Sequence, residues 1–217
     1  MKKIVCFALL LAVSLCAFAQ NGVIRELSGE VELKPAGTTG FVPAKQGDSV
    51  ATDTIVSTGF RSTAIIEVGS SSIAIRPLTR LSLAEIQSTS GSETLNVNLQ
   101  AGRIKVDVKP PAGTKANCTV QSPSATASVR GTSFEFDTVN LQVSEGTVAL
   151  KGNVGIVMLI PAGGVSYVDS EGKVADPIET NQSSLTPSAP VGTGLASETP
   201  SSSTTQTSGN IDLNLVW

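Results

Sequence analysis

The chain has 217 residues, 15 basic and 18 acidic side chains, no histidine, three cysteines and an aromatic content of 4%. A formal charge of −3 with no basic cluster gives nucleic acid nothing to bind, and few aromatics are available to stack on bases. The absence of histidine removes the commonest general base and the commonest ligand of catalytic zinc.

The first element is a leader. Lys2 and Lys3 precede an apolar run over residues 4–15, and Ala17-Phe18-Ala19 is a small-x-small site before Gln20. This is the layout of a cleaved secretory signal, with an apolar core too short to anchor in a bilayer. Residues 1–19 are therefore expected to leave, and the mature chain to occupy the periplasm or cell surface. Lipidation at Cys16 is the rival, but Leu15 fills the position where that processing needs a small residue. Cleavage removes Lys2 and Lys3, so thirteen basic groups face eighteen acidic ones, a net of −5. It also removes Cys6 and Cys16. Cys118 is then alone and no internal disulfide can form, so Cys118 reads as a small buried side chain on a strand, with intermolecular pairing as the alternative.

Residues 20–176 show a period of two. Val31 and Leu33 alternate with Glu30, Glu32 and Lys34; Leu81, Leu83 and Ile86 mark the next clear run; then come Leu95-Asn96-Val97-Asn98-Leu99, Ile104-Lys105-Val106-Asp107-Val108 and Phe134-Glu135-Phe136. Such alternation marks half-buried strands. The fold class expected is all-β: a single wound β-sandwich or β-helix-like domain of about twelve short strands. A corner recurs, glycine then alternating aliphatics, at Gly29, Gly102 and Gly146, with unequal spacing. Residues 177–209 are rich in Ser, Thr and Pro and poor in aliphatics, the composition of a disordered linker. Residues 210–217 end the chain as an amphipathic strand in which Ile211, Leu213, Leu215 and Trp217 form a candidate partner-binding face. That strand can dock on its own domain, pair with a partner's sheet edge, or resemble the last strand of an outer-membrane barrel.

No catalytic constellation emerges. There is no Gly-x-Ser-x-Gly elbow, no phosphate loop and no dense Asp/Asn calcium loop, and the carboxylates fall on the polar positions of alternating strands. The expectation is a protein without enzymatic activity, cofactor or metal. One segment differs from the rest: Val129-Arg130-Gly131-Thr132-Ser133-Phe134. Gly131 allows a bend within the strand, Thr132 can bond locally, and Phe134 and Phe136 point to one face as core anchors. Arg130 is expected to tie neighbouring carbonyls or a carboxylate together at a bulged corner, with direct ligand contact as the alternative.

This segment resembles the V-R-G-T-x-F hallmark of the FecR domain. Gly47-Asp48-Ser49-Val50 with Thr52-Asp53 is similar to that family's opening motif, and Ser72-Ile73-Ala74-Ile75-Arg76-Pro77 with Thr79-Arg80-Leu81 to its next hairpin. Leu99-Gln100-Ala101-Gly102-Arg103-Ile104, Glu145-Gly146-Thr147-Val148 and Pro161-Ala162-Gly163-Gly164 continue the series, so the resemblance covers residues 47–168. It implies an extracytoplasmic β-rich domain which, in the founding regulators, is the periplasmic part of an anti-sigma system that senses a loaded outer-membrane siderophore receptor. The protein is expected to lack the cytoplasmic sigma-binding segment and membrane helix of those regulators. The leading expectation is accordingly a stand-alone binding or scaffolding protein that contacts an envelope protein through its strands. A glycan- or peptidoglycan-binding module and a sensor component of a signalling system are the alternatives.

Overall fold

The structure is a computed structural model that describes residues 21–89 and 91–177. The expectations for residues 1–19, for the linker beyond residue 177 and for the strand at 210–217 lie outside the described residues. So do the candidate partner-binding side chains Ile211, Leu213, Leu215 and Trp217.

The chain winds between two sheets. It begins in the first sheet with β1 (Gly22–Ser28), crosses to the second for β2 (Val31–Lys34) and β3 (Val42–Pro43), and returns for β4 (Ser49–Val50). β5 (Ile55–Thr58) lies in the second sheet, β6 (Thr63–Val68) and β7 (Ser71–Ile75) in the first, β8 (Arg80–Thr89) and β9 (Ser92–Ala101) in the second. β10 (Ile104–Val108) is in the first, β11 (Lys115–Gln121) and β12 (Ala125–Arg130) in the second, β13 (Ser133–Phe136) and β14 (Asn140–Glu145) in the first. β15 (Thr147–Gly152) and β16 (Met158–Pro161) end the second sheet, and β17 (Val165–Tyr167) ends the first. The described residues thus hold an eight-stranded sheet, β17-β14-β13-β10-β7-β6-β1-β4, and a nine-stranded one, β16-β15-β12-β11-β9-β8-β5-β2-β3.

Seventeen strands exceed the twelve expected because several are too short or too poor in branched residues to show a period: β3 and β4 have two residues each. The choice between sandwich and helical winding also resolves. The layers are those of a two-sheet sandwich, and the pairing is antiparallel except where β11 lies parallel to β9, from Lys115 opposite Ser92 to Gln121 opposite Asn98. Between them the chain passes through β10 in the other sheet, so β9, β10 and β11 form one coil of helical winding inside the sandwich.

Alternation decides what each strand buries. In β10, Ile104, Val106 and Val108 are buried while Lys105 is exposed. Ile24, Ile66, Ile73, Val106, Phe134 and Val143 cross the first sheet, and Leu33, Val56, Leu81, Leu99, Val120 and Leu150 the second, to make one apolar core. Cys118 belongs to it, opposite Val129 on β12 and Leu95 on β9. Burial pushes the Cys118 thiol up to about 12, so neither thiolate nor partner access exists at neutral pH. A thiol reagent such as Ellman's should leave Cys118 unlabelled in the folded protein and react with it in denaturant. Stoichiometric labelling without denaturant would contradict this burial.

The recurring glycine corner is a real device. Gly29, Gly102 and Gly146 have φ of 78°, 90° and 79° at points where the chain changes sheet. Each lies against a buried hydroxyl residue, respectively Ser62, Thr79 and Thr132. At the first two, the hydroxyl oxygen accepts from the backbone N–H that follows the glycine: Glu30 N to Ser62 Oγ at 2.8 Å and Arg103 N to Thr79 Oγ1 at 3.0 Å. At the third, Thr132 turns its methyl toward Gly146 instead.

Candidate functional site

The hallmark segment is divided by the fold. Val129 and Arg130 end β12 in the second sheet, Gly131 (φ 64°) and Thr132 make the crossing, and Phe134 lies on β13 in the first sheet. The segment is therefore a corner at which the chain crosses between sheets, and the β13–β14 register shifts beside it, between Ser133 and Phe134. Val129, Thr132 and Phe134 are all buried. Arg130 is exposed, and its Nε donates to the side-chain amide carbonyl of Asn117, Oδ1, on β11 at 2.9 Å. Around it, Asn117, Thr119, Ser128, Arg130, Thr147, Ala149 and Leu159 line an open depression of about 630 Å³ on the outer face of the nine-stranded sheet. The hallmark thus supplies one side chain to a surface and spends the rest on corner and core.

A second polar cluster stands where the β7–β8 and β9–β10 crossings meet the β13–β14 turn. Arg76 N donates to Arg103 O at 3.0 Å, which sets the two crossings side by side. Arg103 Nη2 contacts Asp137 Oδ2 at 3.0 Å, and Arg76 and Arg103 approach Glu135 Oε1 at 3.6 and 3.9 Å. Asp137 Oδ1 accepts from the backbone N–H of Asn140 at 2.7 Å and of Val139 at 3.3 Å, and so caps a turn that holds Thr138 at φ 79°. Partial burial acts to raise the Asp137 pKa. The Asn140 backbone and amide, the Val139 N–H and the Arg103 guanidinium outweigh it and hold the group below its ordinary value.

A depressed carboxyl contributes stability that is complete above the unfolded aspartate pKa of about 3.9 and is lost as pH falls through the folded pKa. Asp137→Ala is expected to cost about 1–3 kcal/mol in urea unfolding at pH 7. That difference should shrink on acidification below the ordinary aspartate range; a constant difference down to pH 2 would show that the charge is not what holds the turn.

No role was assigned from the sequence to Arg76, Arg103, Asp137 or Asn140, although Arg76 and Arg103 lie within the family-like runs. Each adjoins a turn: Arg76 precedes Pro77, Arg103 follows Gly102, and Asp137 and Asn140 bracket Thr138. On the opposite edge of the sandwich, Lys109 pairs with Asp107 at 2.8 Å; that hydrogen bond, with the Asp107 charge, raises the lysine pKa. Among the described residues no cluster of three or more His, Cys, Asp or Glu is arranged to hold a metal ion, and no helix is long and apolar enough to cross a membrane.

Comparison with curated proteins yields no match. Two crystal structures of a candidate anti-sigma factor from Parabacteroides distasonis ATCC 8503, at 1.65 and 2.50 Å resolution, are similar to the chain at 16% sequence identity and a TM-score of 0.45. Each alignment covers 58% of this chain and 62% of the other, so the chain spans less than two thirds of the length of the solved structures it matches. Residues 54–149, from the start of β5 into β15, match the family model described as FecR protein, the family that the hallmark crossing and its flanking motifs resemble.

Proposed function

We propose that the protein is a non-enzymatic, extracytoplasmic component of a FecR-type envelope signalling system, acting by contact with another protein. The observation that carries the reading is the match of residues 54–149 to the FecR family model. In the regulators that the family resemblance invokes, this domain senses the state of an outer-membrane receptor, a task of binding and release without covalent chemistry. A chain without histidine suits such a task. Two sheets closed over one apolar core form a rigid scaffold that presents turns and strand edges to a partner. The leader expected at residues 1–19 supports an extracytoplasmic location.

The test is a chromosomal deletion, with complementation by the full chain, read by transcript profiling and by cell fractionation. The reading expects the complementing protein in the periplasmic fraction. It also expects a confined set of transcripts that shifts on deletion and returns on complementation. Unchanged transcripts across iron-replete, iron-poor and envelope-stress conditions would sink the signalling role. Tight retention of the purified protein on peptidoglycan, with no effect on transcripts, would favour the glycan-binding alternative.

A further inference from the structure

Three crossings, β5 to β6, β7 to β8 and β9 to β10, stand side by side on one edge of the sandwich. Leu78 N donates to Gly59 O at 3.2 Å and Arg76 N to Arg103 O at 3.0 Å, which links their turns. These turns and the first residue of β8 carry four of the six arginines in the sequence, Arg61, Arg76, Arg80 and Arg103, and none of its nine lysines. Arg76 and Arg103 share Glu135 and Asp137. Arg61 and Arg80 form no ion pair among the described residues. Each instead lies by an aromatic ring, Arg61 Cζ 5.4 Å from the Phe60 centroid and Arg80 Cζ 5.5 Å from that of Phe41. Phe60 is 73% exposed and Leu78 62%. Leu78 stands between two open depressions of about 650 and 500 Å³, one toward Arg103 and one toward Arg80.

Leu78 is also held at φ 56°, in the left-handed region. A turn with that backbone is satisfied at lower cost by glycine, and an exposed leucine adds nothing to the core. The side chain is thus retained against the local conformational preference while facing solvent. Exposed aromatic and aliphatic groups interleaved with arginine have the composition of protein-binding hot spots. Arginine, unlike lysine, can stack on a ring while its planar fork stays free for a carboxylate.

We infer that this edge is a docking surface for an extended acidic segment of a partner protein. Carboxylates of the segment meet Arg61 and Arg80, and its apolar side chains settle in the depressions on either side of Leu78. The chain is net negative, so an acidic partner is repelled by most of the surface and steered to this edge. Glu135 and Asp137 among the arginines suit a segment of mixed character better than a uniformly anionic lipid surface. The inference rests on the protein-binding reading above and adds to it a surface and a partner chemistry.

The test replaces Phe60 and Leu78 in turn by the photo-crosslinker p-benzoylphenylalanine in the full chain, expressed in its own cells. Ser128 and Gln142, exposed on the outer faces of the two sheets, serve as control positions. The expected result is a protein adduct from 60 and 78, absent from the controls, in which the linked peptide is rich in Asp and Glu. The adduct should fall at least tenfold in the double variant Arg61→Glu/Arg80→Glu. Leu78→Gly should weaken capture in the same way while leaving the unfolding midpoint unchanged or raised, which separates docking from folding. Lipid adducts, a linked peptide without carboxylates, or an adduct insensitive to the charge reversal would overturn the inference. Protein adducts from the control positions alone would overturn it while leaving the protein-binding reading intact; no protein adduct at any position, with unchanged transcripts on deletion, would remove both.

Discussion

Replacing Gly102 by alanine should cost roughly 3 kcal/mol or more, the sum of three effects that act together at one sheet crossing. The backbone is at φ 90°, where an L-residue is strained by about 1–2 kcal/mol. A Cβ added there falls 2.3 Å from Thr79 Oγ1, 2.5 Å from Thr79 Cα and 2.7 Å from Leu78 O. Two of those atoms are backbone or fixed to it, so no rotamer change relieves the overlap and the two crossings must separate. Separation breaks the bond from Arg103 N to Thr79 Oγ1, worth about 1 kcal/mol and leaving a buried hydroxyl to satisfy. Gly47 is the control. Its φ of 89° carries the same backbone strain, but an added Cβ meets nothing within 4 Å. Gly47→Ala should therefore cost only about 1–2 kcal/mol, and the difference between the two variants measures the packing of the crossing. Equal urea midpoints for both would show that the crossings do not touch as described. A domain stable by about 5–15 kcal/mol loses a large part of its margin at Gly102.

This device was partly legible in the sequence. The glycine followed by alternating aliphatics recurs at positions 29, 102 and 146, and all three glycines have positive φ. What the sequence did not disclose was the second half of each corner, because Ser62, Thr79 and Thr132 lie far from their glycines along the chain and meet them only once the sheets have formed. The same limit applied to strands. Leu81 and Leu83, Leu95, Val97 and Leu99, and Phe134 and Phe136 were expected inside and are buried. β11 and β12 were marked only by Cys118 and by the Val129-Arg130 end, and their extent was not read, because their inward positions are largely Ala116, Cys118, Ala125 and Ala127, residues with little branched surface to mark a strand. Nor does a period of two say which sheet a strand joins, since both sheets face one core. The arginine edge was invisible for a related reason: Arg61, Arg76, Arg80 and Arg103 look like scattered surface charges until three crossings bring them into line.

Phe134→Ala is expected to have the largest effect of any single truncation in the hallmark, about 3–5 kcal/mol. Phe134 is 0% exposed and sits on β13 opposite Val106 of β10 and Val143 of β14, so its strand is flanked on both sides by paired neighbours. A strand held from both sides cannot move inward to fill a vacated ring volume, and the cavity term of the cost stays near its full value. The four-residue β13 also has few other side chains to hold it: Phe136 shares the core beside Ile104 and Leu141, while Glu135 faces outward to Arg76 and Arg103. Arg130→Ala, in the same motif, removes one exposed hydrogen bond to Asn117 and should cost no more than about 1 kcal/mol. The comparison by urea unfolding tests how the hallmark works. If Phe134 dominates, the motif specifies the crossing and the core beneath it, and its presence identifies the domain without locating the surface that binds. If Arg130→Ala proved as costly as Phe134→Ala, the groove it lines on the nine-stranded sheet would be part of the folding core, and the division of the hallmark into core and surface would be wrong. The expected ordering places the binding determinants outside the hallmark, and the turns that bear Phe60, Leu78 and their arginines offer the exposed apolar and cationic groups that the hallmark lacks.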